Sequence, residues 1–121
     1  MNRPWAYITA AWNTDYTKAK RAAKKYCRVL YLEGYSPICP LLFQREFIKD
    51  QVADEHKDRL DMSEEHLRRS RILVVCGAVV DETVQNDIAI ANHFRIPATT
   101  LEGILSVEGK CDRKETICKR K

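Results

Sequence analysis

No stretch of this 121-residue chain approaches the roughly 20 consecutive apolar residues that a membrane-spanning helix needs. The N-terminus has one early positive charge at Arg3 and a short apolar run, but no small-residue cleavage site, and it runs straight into a charged helical pattern. It is read as something other than a signal peptide. CxxC pairs are absent too. The five cysteines (Cys27, Cys39, Cys76, Cys111 and Cys118) are odd in number and irregularly spaced, which argues against a disulfide framework. Three of them lie in apolar segments where a thiol acts as a small hydrophobe, so a reduced, cytoplasmic setting is expected. Neither HExxH nor any other ligand spacing joins His56, His66 and His93, and the expectation is no metal and no cofactor. Repeats and low-complexity segments are missing as well, apart from a basic C-terminal stretch.

The formal charge of +4 looks like an affinity for nucleic acid until it is located. Residues 110–121 hold six of the 21 basic side chains and two of the 17 acidic ones, which leaves fifteen of each sign before them. The body, residues 1–109, is read as one neutral domain, and residues 110–121 as a basic, flexible tail. The tail reads either as a solubilising end or as an electrostatic arm. Nucleic acid is therefore expected as a partner only through the tail. A hydrophobic fraction of 45% is ample for a packed core.

What is present alternates strand and helix. Residues 6–12 are nearly continuous and apolar, as in a parallel strand covered on both faces. Asn13 or Thr14 can cap the helix that follows, with Asp15 in its first turn, and Ala19, Ala22, Ala23, Tyr26 and Leu30 recur at helical spacing before Gly34 stops it. Residues 35–40 form a short second strand limited by two prolines. The middle, 41–70, is helical but irregular, its last piece starting at an N-cap Ser63 with Met62 and Leu67 as a hydrophobic staple. Glu64 to Arg68 and Glu65 to Arg69 are i,i+4 pairs in the favourable order. Residues 72–77 are the clearest strand. Residues 83–95 are a helix, 98–101 a fourth strand and 104–107 a candidate fifth. This order predicts an α/β three-layer sandwich around a parallel sheet of four to five strands, flavodoxin-like in order.

In such a sheet ligands sit beyond the carboxyl ends of the strands. Two segments lie there, residues 9–13 and residues 77–83, and the second leads into the helix that bears Asp87. Asp81 and Asp87, six residues apart, could face one cleft, because side chains near a helix start lean back toward it. Two readings of the pair stand side by side. Paired carboxylates in a desolvated cleft can divide into nucleophile and acid; equally, acids in a first turn suit the helix dipole and need no function.

The segments Tyr7-Ile-Thr-Ala-Ala-Trp12 and Asp81-Glu-Thr-Val-Gln-Asn-Asp-Ile-Ala-Ile-Ala91 resemble the nucleoside 2-deoxyribosyltransferase-like superfamily. The run Leu67 to Gly77 and the turn Arg95-Ile-Pro97, where the resemblance has glycine first, are most similar to its uncharacterised bacterial and phage members. The similarity spans about Trp5 to Glu102. It implies a nucleoside or nucleotide N-glycosidic-bond enzyme, a deoxyribosyltransferase or an N-glycoside hydrolase, in which a helix carboxylate attacks C1′ of the sugar. That position falls on Asp87, with Asp in place of the family's Glu. Asp81 would assist by holding the base or a phosphate. Tyr7, Thr9, Ala10, Ala11 and Trp12, with Gly77 and Thr83, would line the substrate, a small nucleoside or nucleotide. A homo-oligomer is also implied. Thr83 replaces a loop glycine of the family, Ala10 and Ala11 replace glycines after strand one, and the acid found before strand three has no counterpart, Asp61 being out of register. These departures motivate a second expectation, a nucleotide-metabolite-binding protein of the same fold without catalysis.

Overall fold

The apolar run near the N-terminus becomes strand β1, Trp5–Thr9, in a computed structural model that describes residues 3–11, 15–44 and 46–105. The further elements are α1 (Tyr16–Leu32), β2 (Ser36–Ile38), α2 (Leu41–Gln44), α3 (Ala53–Arg68), β3 (Ile72–Val75), α4 (Glu82–His93) and β4 (Ala98–Thr100). All strands pair in parallel, in the order β2-β1-β3-β4. This is the α/β, flavodoxin-like arrangement that the alternating pattern predicts, with four strands among the described residues.

The two-residue period of β1 assigns its faces. Ala6 and Ile8 pack with Ala23 and Leu30 of α1, with Val74 and Cys76, and with Ile104. Tyr7 points the other way, into a cluster with Leu67 of α3, Leu73 of β3, Ala91 of α4 and Ile96. Helices thus cover both faces, and the central strands β1 and β3 are apolar over most of their length because most of their residues are shielded from water on either face. The bond from Cys76 N–H to the Thr9 carbonyl (2.9 Å) carries the β1–β3 ladder one step beyond the strands.

Helix α1 is bounded by two local devices. Asp15 is its N-cap, with Oδ1 accepting from Lys18 N–H at 3.0 Å, so this residue sits one position earlier than the expected first turn. At the far end Tyr35 N–H donates to the Leu30 carbonyl and Gly34 N–H to Tyr31, a Schellman closure with Gly34 at φ +99°. Nothing lies near a Cβ built at Gly34, so only backbone strain opposes a side chain there. Gly34→Ala is expected to cost about 1 kcal/mol, a fall of roughly 5 °C in a thermal melt, with no change in ligand binding.

Two expected elements are corrected. Ser63 caps nothing: α3 runs unbroken through it, and its hydroxyl donates to Gln44 Oε1 at 3.2 Å. Serine costs a helix interior only a few tenths of a kcal/mol, so a tertiary contact decides its role. The expected fifth strand is not seen in its described part, residues 104 and 105, either. Residues 101–105 are helical, because the Thr100 hydroxyl accepts from Gly103 N–H at 2.9 Å and caps a turn that buries Ile104 against α1's side of the sheet. Of the charge pairs on α3, Glu65–Arg69 forms at 2.6 Å, while Arg68 turns to Glu65 rather than Glu64. Asn13, Thr14, residues 106 and 107 and the tail 110–121 lie outside the described residues. Cys27, Cys39 and Cys76 are free thiols. No helix among the described residues is long and apolar enough to cross a membrane.

Candidate functional site

The carboxyl end of β1 and the start of α4 meet around Asp87. Asp81 is the N-cap of α4, with Oδ1 accepting from Val84 N–H at 3.0 Å, and this fixes the helix's first turn. Asp87 stands in the second turn, on the side facing the sheet, and is only 9% exposed. There the Thr9 hydroxyl donates to its Oδ2 at 2.6 Å, a short charge-assisted bond between residues 78 apart in sequence. Burial pushes the Asp87 carboxyl up to about 6; the Thr9 bond opposes this, the Asp81 charge adds to it and Arg59 opposes it.

A cleft of about 320 Å³ opens over this carboxylate. Its walls are Tyr7 and Thr9 from β1, His56, Arg59, Leu60, Ser63 and Glu64 from α3, and Glu82, Thr83 and Asn86 from α4. Burial raises the Tyr7 phenol above its ordinary value, with the Asp87 charge adding, so the hydroxyl stays protonated and can donate. Arg59 is buried and pairs with Asp50 (Nε to Oδ1, 2.7 Å), which also meets His56 Nδ1 at 3.3 Å. That pairing holds the guanidinium in place beside the cleft.

The residues expected to form the site separate into two groups. Tyr7, Thr9, Thr83 and Asp87 share the cleft, and Asp81 is near enough for its charge to act on Asp87 while its carboxylate serves the cap. Ala10, Ala11 and Gly77 instead line a smaller hollow of about 200 Å³ on the α1 side, with Tyr26 and Cys76. Gly77 has φ +86°, and a Cβ there would meet the Tyr26 hydroxyl at 3.3 Å. Trp12 lies outside the described residues. The α3 wall was not expected. Arg59, Ser63 and Leu67 are spaced i, i+4, i+8, so one unbroken helix puts them on one face; breaking the helix at Ser63 hides that stripe. Among the described residues no group of three or more His, Cys, Asp or Glu side chains could hold a metal ion.

The fold and cleft define a class: flavodoxin-like α/β domains with a cleft beyond the carboxyl ends of a parallel sheet. In three dimensions the chain is similar to the 2-deoxyribosyltransferase of the psychrotolerant bacterium Bacillus psychrosaccharolyticus, with a TM-score of 0.62 and 15% identity, over 79% of this chain and 70% of that one. That likeness is one of fold. Within the class the chain belongs to a family of domains of unknown function (DUF7768), which matches residues 4–101. Compared by sequence with curated proteins, it matches none.

Proposed function

We propose that the protein cleaves the N-glycosidic bond of a 2′-deoxynucleoside, as a transferase or hydrolase, with Asp87 as nucleophile and Asp81 assisting. The observation that carries this reading is the buried Asp87 carboxylate, aimed by Thr9 into a cleft of nucleoside size at the strand ends. The fold shared with a deoxyribosyltransferase supports it. In the reaction an Asp87 oxygen bonds to C1′ as the bond from C1′ to the base nitrogen breaks. The base departs with the bonding electrons and takes up a proton. A second base, or water, then opens the glycosyl ester and restores the carboxylate. Asp81 assists by fixing the first turn of α4 and by its charge beside Asp87.

The cleft's own charges bear on the substrate. Glu82 and Asp87 on α4 lie across it from Arg59, and Glu64 lines it from the same helix as Arg59. A phosphate about 6 Å from a carboxylate costs about 3 kcal/mol per pair of charges at an effective dielectric near 20. The uncharged nucleoside is therefore preferred over its phosphate. The test is incubation with a panel of 2′-deoxynucleosides and their monophosphates, with and without an acceptor base, reading free and exchanged base by chromatography. Base release or exchange from nucleosides is expected; none from any of them overturns the reading.

The ionised carboxylate is the nucleophile, so activity rises with pH and reaches half its plateau near 6. Thr9→Val removes the hydrogen bond that favours the charged form. A charge-assisted bond of this kind is worth roughly 1.5–3 kcal/mol, so the midpoint moves up by about one unit or more in a pH–rate profile. A midpoint unmoved by Thr9→Val removes Thr9 from the account.

One observation favours the second reading, a non-catalytic binder: at 9% exposure, Asp87 offers little surface to an incoming C1′. A binder shows thermal stabilisation by nucleosides with no release of base. Self-association and a cytoplasmic setting accompany the enzymatic reading, and sedimentation of the full chain reads the first of them.

A further inference from the structure

A groove of about 460 Å³ lies at the opposite edge of the sheet, where β1, β3 and β4 begin. Its rim gathers Arg3, Arg69, Arg71 and Arg95 from three separate segments, together with Trp5, which is 39% exposed. Two of the guanidiniums are engaged. Arg3 donates to the Tyr31 and Tyr35 carbonyls at 3.1 and 2.7 Å, and Arg69 pairs with Glu65 at 2.6 Å. Among the described residues, Arg71 and Arg95 make no side-chain hydrogen bond or ion pair, though both are exposed beside the groove.

Basic residues at helix C-termini have an ordinary explanation, since α3 and α4 both end here and their dipoles attract cations. The count exceeds that explanation. Each helix end supplies roughly half a negative charge, so with Glu65 the rim still keeps a surplus of about two positive charges. The backbone of Arg95 is the second observation. Ile96 N–H donates to Ala91 and Arg95 N–H to Asn92, so α4 closes as α1 does, but the left-handed position holds arginine at φ +60° where α1 has Gly34. Arginine at φ +60° carries a backbone strain that glycine would avoid, and strain of this kind points toward a role for the side chain.

We propose that this groove binds a nucleoside polyphosphate, its phosphates held by Arg71 and Arg95 with help from Arg3, and its base against Trp5. Guanidinium forks match phosphate oxygens in pairs, an indole face stacks a base of any kind, and the volume suits a ligand of that size. This site is separate from the cleft. The four residue steps along β1 put Trp5 about 13 Å from Thr9.

Isothermal titration of the full chain with ATP, inorganic pyrophosphate and an oligothymidylate tests the assignment. ATP binding that weakens with salt and exceeds that of pyrophosphate is expected. The double variant Arg71→Gln/Arg95→Gly should lose at least roughly tenfold in ATP affinity for each guanidinium. Its melting temperature should not fall, because glycine suits φ +60°. Trp5→Leu should weaken ATP and leave pyrophosphate unchanged. Absent ATP binding, ATP affinity unaltered in the double variant, pyrophosphate bound as tightly as ATP, or binding of the oligothymidylate alone each overturns the proposal. None of these outcomes bears on base release at Asp87.

Discussion

Asp87→Asn is expected to lower base release from 2′-deoxynucleosides by on the order of 10³-fold or more, since a neutral amide cannot form the glycosyl ester. The substitution keeps the shape of the side chain, and the Thr9 hydroxyl, now 2.6 Å from Oδ2, still has an oxygen to donate to. The fold should even gain. Asp87 titrates near 6 in the folded protein against 3.8 as an ordinary aspartate, so ionisation favours the unfolded chain. The resulting deficit is absent below pH 4, grows as pH rises toward 6 and is complete above it, amounting to at most about 3 kcal/mol. Asparagine removes it. The variant should therefore melt higher than the parent at pH 8 and equally at pH 3.5. Loss of activity with a raised melting temperature separates chemistry from folding. An equally active Asp87→Asn protein assigns the reaction elsewhere.

Leu67→Ala should have the largest effect on stability. Leu67 has no exposed surface, and it fills the space between Tyr7, Leu73, Ala91 and Ile96 where α3 and α4 meet the sheet. Truncation removes three carbons' worth of transfer energy and leaves a cavity that β1 and β3, held in their ladder, cannot close. About 3 kcal/mol is expected, a large part of the 5–15 kcal/mol that a domain of this size has in all. The melting temperature should drop by more than about 10 °C. Because Tyr7 rests on this side chain and lines the cleft, nucleoside affinity should weaken as well. A Leu67→Ala protein within a few degrees of the parent would show that the two helices do not share this core.

Both effects trace to elements that the amino-acid pattern displays unevenly. β3 stands out because Ile72 to Val75 is apolar without interruption and buried on both faces. α4 stands out because Val84, Asp87 and Ala91 recur toward the sheet; Asp81, expected as a first-turn acid suited to the helix dipole, is instead the N-cap. What misled was local chemistry with two meanings. Ser63 carries the signature of a cap, yet its hydroxyl bonds Gln44, nineteen residues away, and no local signal distinguishes the two. Dividing α3 there concealed Arg59 as a wall of the cleft. Ile104-Leu105 has the composition of a strand, but Thr100 three residues before Gly103 turns the chain into a helix first.

Charge shows the same limit on a larger scale. Fifteen charges of each sign sum to zero over residues 1–109, and the sum conceals that Arg3, Arg69, Arg71 and Arg95 meet on one edge. Only the parallel topology, which starts β1, β3 and β4 side by side, brings them together. The carboxyl edge is different in kind. Thr9 and Asp87 meet there because a strand end and the helix after another strand converge at that edge in any doubly wound sheet, so the cleft's place was legible even where half its wall was not.

The most direct measurement is intact mass, followed by peptide mapping, of the protein quenched in acid during turnover of a 2′-deoxynucleoside without an acceptor base. The account predicts a fraction of the chain heavier by one deoxyribosyl group, with the added mass on the α4 peptide at Asp87 and absent from Asp87→Asn. Base released with no such adduct, or an adduct on any other residue, would contradict it.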